Sequence, residues 1–125
     1  MMPFEKLKVW QCSHRLTLEV YRATEGWSKR ELYGLTSQTR RAAVSVSANI
    51  AEGAAKRGRR DFGRYLDIAL GSFSELTYLL RLGLDLGFMT GEQSQALDTV
   101  RGEAGKVIWG LYRRVVPKAG ARSQH

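Results

Sequence analysis

The sequence predicts an all-α protein, an antiparallel up-down-up-down four-helix bundle, and three observations carry that prediction. Apolar residues recur at steps of three and four along most of the 125 residues. Glycine, proline and capping residues interrupt the rhythm near Gly26, Gly58 and Gly87. No alternating polar and apolar run is long enough for a useful strand. Turns of only a few residues between long helices force sequence neighbours to pack antiparallel.

The first helix is expected from about Lys6 to Gly26, with Leu7, Trp10, His14, Thr17 and Tyr21 on one stripe and Leu16 and Val20 widening it. Ser28 and Glu31 have capping-box spacing ahead of a second helix over about Glu31 to Lys56. Its candidate core positions are small: Ala42, Ala43, Val46, Ile50 and Ala51. Small residues permit close neighbours, and because Val44 and Val46 are weak helix formers, packing has to hold the segment. Ser45, Asn49 and Glu52 share one face, either as an interhelical hydrogen-bond network or as a solvent-facing stripe.

The third helix, about Arg60 to Gly87, gives the clearest signal: Phe62, Leu66, Ala69, Phe73, Leu76 and Leu80 keep the spacing of a coiled-coil seam. Thr90 with Gln93 then caps a fourth helix bearing Leu97, Val100, Ala104, Val107, Leu111 and Val115, which Pro117 stops. One bundle domain over 1–117 and a flexible basic tail over 118–125 are expected. Tyr65, Tyr78, Trp109 and Tyr112 lie beside the seams, and Gly71, Gly83, Gly102, Gly105 and Gly110 interrupt good helices. Both features point to a second packing surface and hence to self-association.

Catalysis finds no support. Cys12 is the only cysteine, His14 and His125 are far apart, and neither phosphate-loop nor metalloprotease motifs occur. No enzyme, metal site or cofactor is expected, and His14 and Cys12 read as structural. Without an apolar leader or an apolar run of membrane-spanning length, the expected compartment is cytoplasmic.

Charge is the feature with functional content. The formal net charge is +8, and residues 56–64 alone hold five basic residues against one acidic. A localised excess of this kind favours a polyanionic partner. Lys56, Arg57, Arg59, Arg60 and Arg64 cluster around Gly58 in a pattern suited to phosphates. A helix C-terminus also attracts cations, which explains Lys56 and Arg57 but not Arg59 and Arg60 at the start of the next helix. Arg40 and Arg41 form a second candidate nucleic-acid-binding pair. Arg113, Arg114, Lys118 and Arg122 form a third group, either complementing a helix C-terminus or serving as a phosphate-binding arm.

Three blocks of sequence also carry a resemblance. They are Phe4-Glu5-Lys6-Leu7-Lys8-Val9-Trp10; Tyr33-Gly34-Leu35 with Gln38, Arg40-Arg41-Ala42 and Ser47-Ala48-Asn49-Ile50-Ala51-Glu52-Gly53; and Phe62, Tyr65-Leu66, Ile68-Ala69-Leu70-Gly71-Ser72 and Glu75-Leu76. In this order and spacing the chain resembles the four-helix bundle family of 23S ribosomal-RNA intervening-sequence proteins, to about Val116. The resemblance implies a bacterial four-helix bundle assembling as a ring-like homopentamer with a basic surface, and no catalytic residues. It is related in fold to accessory proteins of diversity-generating retroelements, which bind a reverse transcriptase and nucleic acid. The expected function is a non-enzymatic nucleic-acid-binding module, RNA favoured over DNA. A scaffold for a protein partner such as a reverse transcriptase is the alternative.

Overall fold

The computed structural model describes residues 2–116. The expected tail over 118–125 lies outside the described residues. Four helices account for most of the chain: α1 (Lys8–Thr24), α2 (Leu35–Ala54), α3 (Arg59–Asp85) and α4 (Gly91–Val115). Short 3₁₀ turns at Pro3–Lys6 and Lys29–Glu31 precede α1 and α2, and no strand occurs among the described residues.

Cross-helix contacts fix the directions. Thr17 of α1 meets Ala43 and Ser47 of α2, whereas Thr24, further along α1, meets the earlier Arg40. In α3 and α4, Gly63 approaches Val116, Phe73 approaches Gly105, and Thr77 meets Arg101. The later residue of one helix always meets the earlier residue of the next, so these neighbours run antiparallel. Each helix packs on two others, and the backbone Cα atoms of the diagonal pairs α1 with α3 and α2 with α4 do not come within 8 Å. The section is therefore a square, with one apolar core running along its axis.

The core follows the predicted seams with two shifts. Leu66, Ala69, Phe73, Leu76 and Leu80 are buried on α3, while Phe62 is half-buried. On α4 the seam passes through Ile108, fully buried, in place of the expected Val107, because a straight helix drifts out of a strict heptad phase. Burying a side chain such as Ile108 contributes about 1.5–3 kcal/mol. On α1 the inward line is Val9, Ser13, Leu16, Val20 and Thr24. The expected Trp10, His14 and Tyr21 stripe flanks it, with His14 exposed and stacked on Trp10 at 4.6 Å between ring centroids. Ser13 and Thr24 can occupy the core because their hydroxyls donate to the Val9 and Val20 carbonyls, both at 2.8 Å.

Helix α2 begins at Leu35, four residues later than expected. Ser28 caps the preceding 3₁₀ turn instead, accepting from the Arg30 amide at 3.3 Å. Glu31 accepts from the Leu35 amide at 3.0 Å, so the two residues cap different helices rather than forming one box. On α2, Ala42, Ala43, Val46 and Ile50 are buried as expected, but Ala51 is only half-buried. The Thr90–Gln93 box at the start of α4 forms as expected, with Gln93 N to Thr90 Oγ1 at 3.1 Å and Thr90 N to Gln93 Oε1 at 2.9 Å.

Two of the questioned glycines admit aromatic rings from the same chain. A Cβ on Gly83 would lie 2.6 Å from Trp27, and one on Gly105 would lie 2.9 Å from Phe73. Gly71, Gly102 and Gly110 face open space. The polar face of α2 divides likewise: Ser45 bonds Ser72 of α3 at 2.7 Å and Asn49 donates to the Ser45 carbonyl at 2.8 Å, whereas Glu52 is exposed.

Candidate nucleic-acid interface

Because the helices alternate, the α2–α3 turn, the start of α1 and the end of α4 share one end of the bundle. Residues 2–9, 52–64 and 112–116 bring nine Lys and Arg together with three Asp and Glu at that end. This assembles the expected cluster and adds Lys6, Lys8, Arg113 and Arg114 to it. Lys118 and Arg122 of the third expected group lie outside the described residues.

Gly58 makes the turn possible. Its φ of +86° and ψ of 161° are accessible almost only to glycine, and it is the residue that precedes the first turn of α3. No side chain caps that turn. Arg59 and Arg60 therefore open a 27-residue helix, where the amide dipoles already present positive charge. Each cation there is disfavoured by about 0.3–1 kcal/mol in the absence of an anion. Asp61 offsets part of this and lies 3.8 Å from Arg64. Among the described residues, Lys56, Arg57, Arg59 and Arg60 form no ion pair within 4.0 Å.

Tyr65 organises two of the cations. The Lys56 ammonium stands 5.5 Å from its ring centroid and the Arg64 guanidinium 5.2 Å. Gly53 makes room for this tyrosine, since a Cβ there would lie 2.7 Å from the Tyr65 Cβ. Beside the cluster, between the start of α3 and the end of α4, is a cleft of about 620 Å³. Arg59, Arg60, Arg64, Asp67, Tyr112 and Val116 are among its walls.

Arg40 and Arg41 are not part of this assembly. They lie in the first half of α2, about 20 Å along the helix from its basic end. Arg40 is already engaged: its Nε donates to Thr24 Oγ1 at 2.8 Å, its Nη2 to the Tyr21 carbonyl at 3.4 Å, and its guanidinium stacks on the Tyr21 ring at 4.7 Å. It ties the end of α1 to α2 and satisfies a terminal carbonyl. Arg41 is exposed beside the shallow hollow lined by Tyr21, Leu32 and Tyr33.

Sequence reasoning passed over Asp67 and gave Tyr112 a different role. Arg60, Gly63, Arg64 and Asp67 are spaced to share one face of α3, and that signal was available. The partner wall from α4 was not, because it depends on which helix neighbours which. Among the described residues no group of His, Cys, Asp or Glu could hold a metal ion, and no helix is long and apolar enough to cross a membrane.

Comparison with known proteins gives a family and a fold. The chain is similar in structure to a protein of unknown function from the S23 ribosomal protein family of Bacteroides thetaiotaomicron VPI-5482, solved by crystallography. The TM-score is 0.76 at 24% identity, covering 84% of this chain and 95% of that one. At that identity the likeness shows the fold alone. No curated protein matches. A family model described as 23S rRNA-intervening sequence protein matches residues 5–110. That span runs from the turn before α1 to near the end of α4, so the chain belongs to the 23S rRNA-intervening sequence protein family.

Proposed function

We propose that the protein is a non-enzymatic binding module that grips the phosphate backbone of nucleic acid, RNA before DNA, with the basic end of its bundle. The observation that carries this reading is the placement of Arg59 and Arg60 in the uncapped first turn of α3. No ion pair accounts for them there, and the helix dipole opposes them. A phosphate reverses the sign of both terms, since it is attracted by the free amides and by the guanidinium groups together. Lys56, Arg57 and Arg64 extend the same field around the turn, and Arg113 and Arg114 extend it to the end of α4.

Binding through phosphates depends on salt, because each contact releases condensed counterions. In a titration of single-stranded RNA across 50–200 mM salt, log affinity should fall linearly with log salt, by about 0.7 per phosphate neutralised. An affinity indifferent to salt would refute phosphate contact.

Self-association supports the same function by repeating the basic end. Val44 on α2 and Ile68 on α3 are 42% and 46% exposed, near the Ser45–Ser72 contact. Apolar side chains presented in this way suit a second copy of the chain, and linked copies turn weak contacts into tight binding. Mass measurement in solution tests it: a monomer at micromolar concentration removes this contribution. A protein partner such as a reverse transcriptase is the alternative occupant of that face, and co-purification with the purified partner would distinguish it.

A further inference from the structure

We propose that the cleft between the start of α3 and the end of α4 receives an unpaired base of a single strand, with guanine preferred. The proposal rests on the phosphate-contact reading and adds base selection to it. The cleft, about 620 Å³, is within the range of small-molecule sites and large enough for one nucleotide. Its lining is chemically mixed. Arg59 and Arg60 supply positive charge to its lining, Gly63, Val115 and Val116 apolar surface, and Tyr112 an aromatic ring.

Gly63 lies where the two helices meet. A Cβ there would lie 2.7 Å from the Val116 side chain, so its absence lets the end of α4 close against α3. Tyr112 is half-buried and meets Trp109 edge-on at 5.7 Å, which restrains the ring available for stacking.

Asp67 decides the ligand class. It is exposed, it lines the cleft, and no cation pairs with it among the described residues, although Arg64 is one turn away. Arg64 is turned toward Asp61 and Tyr65 instead. A carboxylate repels phosphate, so a cleft built for phosphate alone gains nothing from it. It favours a group presenting hydrogen-bond donors, and the cations one or two turns away take the attached phosphates.

Among the bases, guanine alone presents two adjacent donors on its pairing edge, N1–H and the N2 amine, matching the two oxygens of a carboxylate. Adenine and cytosine set an acceptor beside their amine, and uracil sets a single donor between two carbonyls. In a duplex this edge is already engaged, so the cleft reads unpaired bases only.

The test compares two short single-stranded RNAs, one of adenosine throughout and one with a single central guanosine, by fluorescence anisotropy at fixed salt. The native protein should bind the guanosine strand about tenfold tighter, the discrimination of one good two-bond contact. Asp67→Asn should bind both strands alike, with its salt dependence unchanged. Replacing the guanosine by inosine, which lacks the N2 amine, should remove most of the preference in the native protein. Equal binding of both strands by the native protein, or a preference that survives in Asp67→Asn, overturns base selection while leaving phosphate contact intact. Failure of both strands to bind at low salt overturns phosphate contact itself, and base selection with it. Asp67 is exposed, so its substitution leaves the fold in place, which a thermal melt of the variant verifies.

Discussion

The two ends of the bundle are built on opposite principles. At the end formed by the α1–α2 and α3–α4 connections, Trp27 is 4% exposed and lies over Gly83, with Phe88 5.7 Å away and Met89 buried. There the C-terminus of α3 is closed by a Schellman motif. The Phe88 amide donates to the Gly83 carbonyl at 2.9 Å and the Gly87 amide to Leu84 at 3.0 Å, with Gly87 at a φ of +83°. At the opposite end the helix start is left open, the side chains are cationic, and the connection is a turn around Gly58. One end spends its residues on sealing the core; the other keeps donors and charges exposed. The difference teaches that stability and recognition occupy separate places in the fold.

Substitutions can break that division or sharpen it. Trp27→Ala should have the largest effect, a loss of about 3–5 kcal/mol from the cavity left beneath it. Calorimetry should show Tm falling by about 10–20 °C. RNA affinity measured well below the transition should be unchanged, and a parallel loss of affinity would show that the ends are coupled. Gly58→Ala should cost about 1–3 kcal/mol, read from the urea midpoint, because alanine disfavours the backbone angles this turn needs. Thr90→Ala removes half of a capping box and should cost about 1 kcal/mol by the same measurement.

The smallest effect on stability belongs to Arg59→Ala with Arg60→Ala. Unfolding free energy should stay within about 0.5 kcal/mol of the native value or rise slightly, since two cations leave the positive end of a helix dipole. The same double variant should lower the slope of log affinity against log salt by about 1.4 if each arginine meets one phosphate of the single strand. A destabilised double variant would mean that these arginines serve the fold.

What the sequence disclosed follows from the range of the forces involved. Seams on α3 and α4 were legible because burial repeats with the helical period, and the Thr90 box because capping is local. The start of α2 was misread because Glu31, at the end of a 3₁₀ turn, reaches forward to Leu35 across residues 32–34, a choice that spacing alone does not decide. The buried hydroxyls of Ser13 and Thr24 were missed because their bonds to carbonyls one turn earlier make them act as core residues. In the candidate site, the arginines around Gly58 were visible as a charge cluster. The cleft itself was not, since Tyr112 and Val116 are about fifty residues distant in sequence and meet α3 only through packing.

The hydroxyl contacts of α2 have a consequence for how the chain finds its fold. Thr17 lies 3.1 Å from the Ala43 carbonyl and 2.8 Å from Ser47 Oγ on one side, and Ser45 lies 2.7 Å from Ser72 Oγ on the other. Apolar seams with a repeating period tolerate a helix that slides by two turns, because leucine then meets leucine again. A slide of α2 would break these cross-helix contacts on two flanks at once, at about 0.5–1.5 kcal/mol for each bond lost. Mis-threaded bundles are thus destabilised from both sides, and the correct alignment stands apart from its near copies.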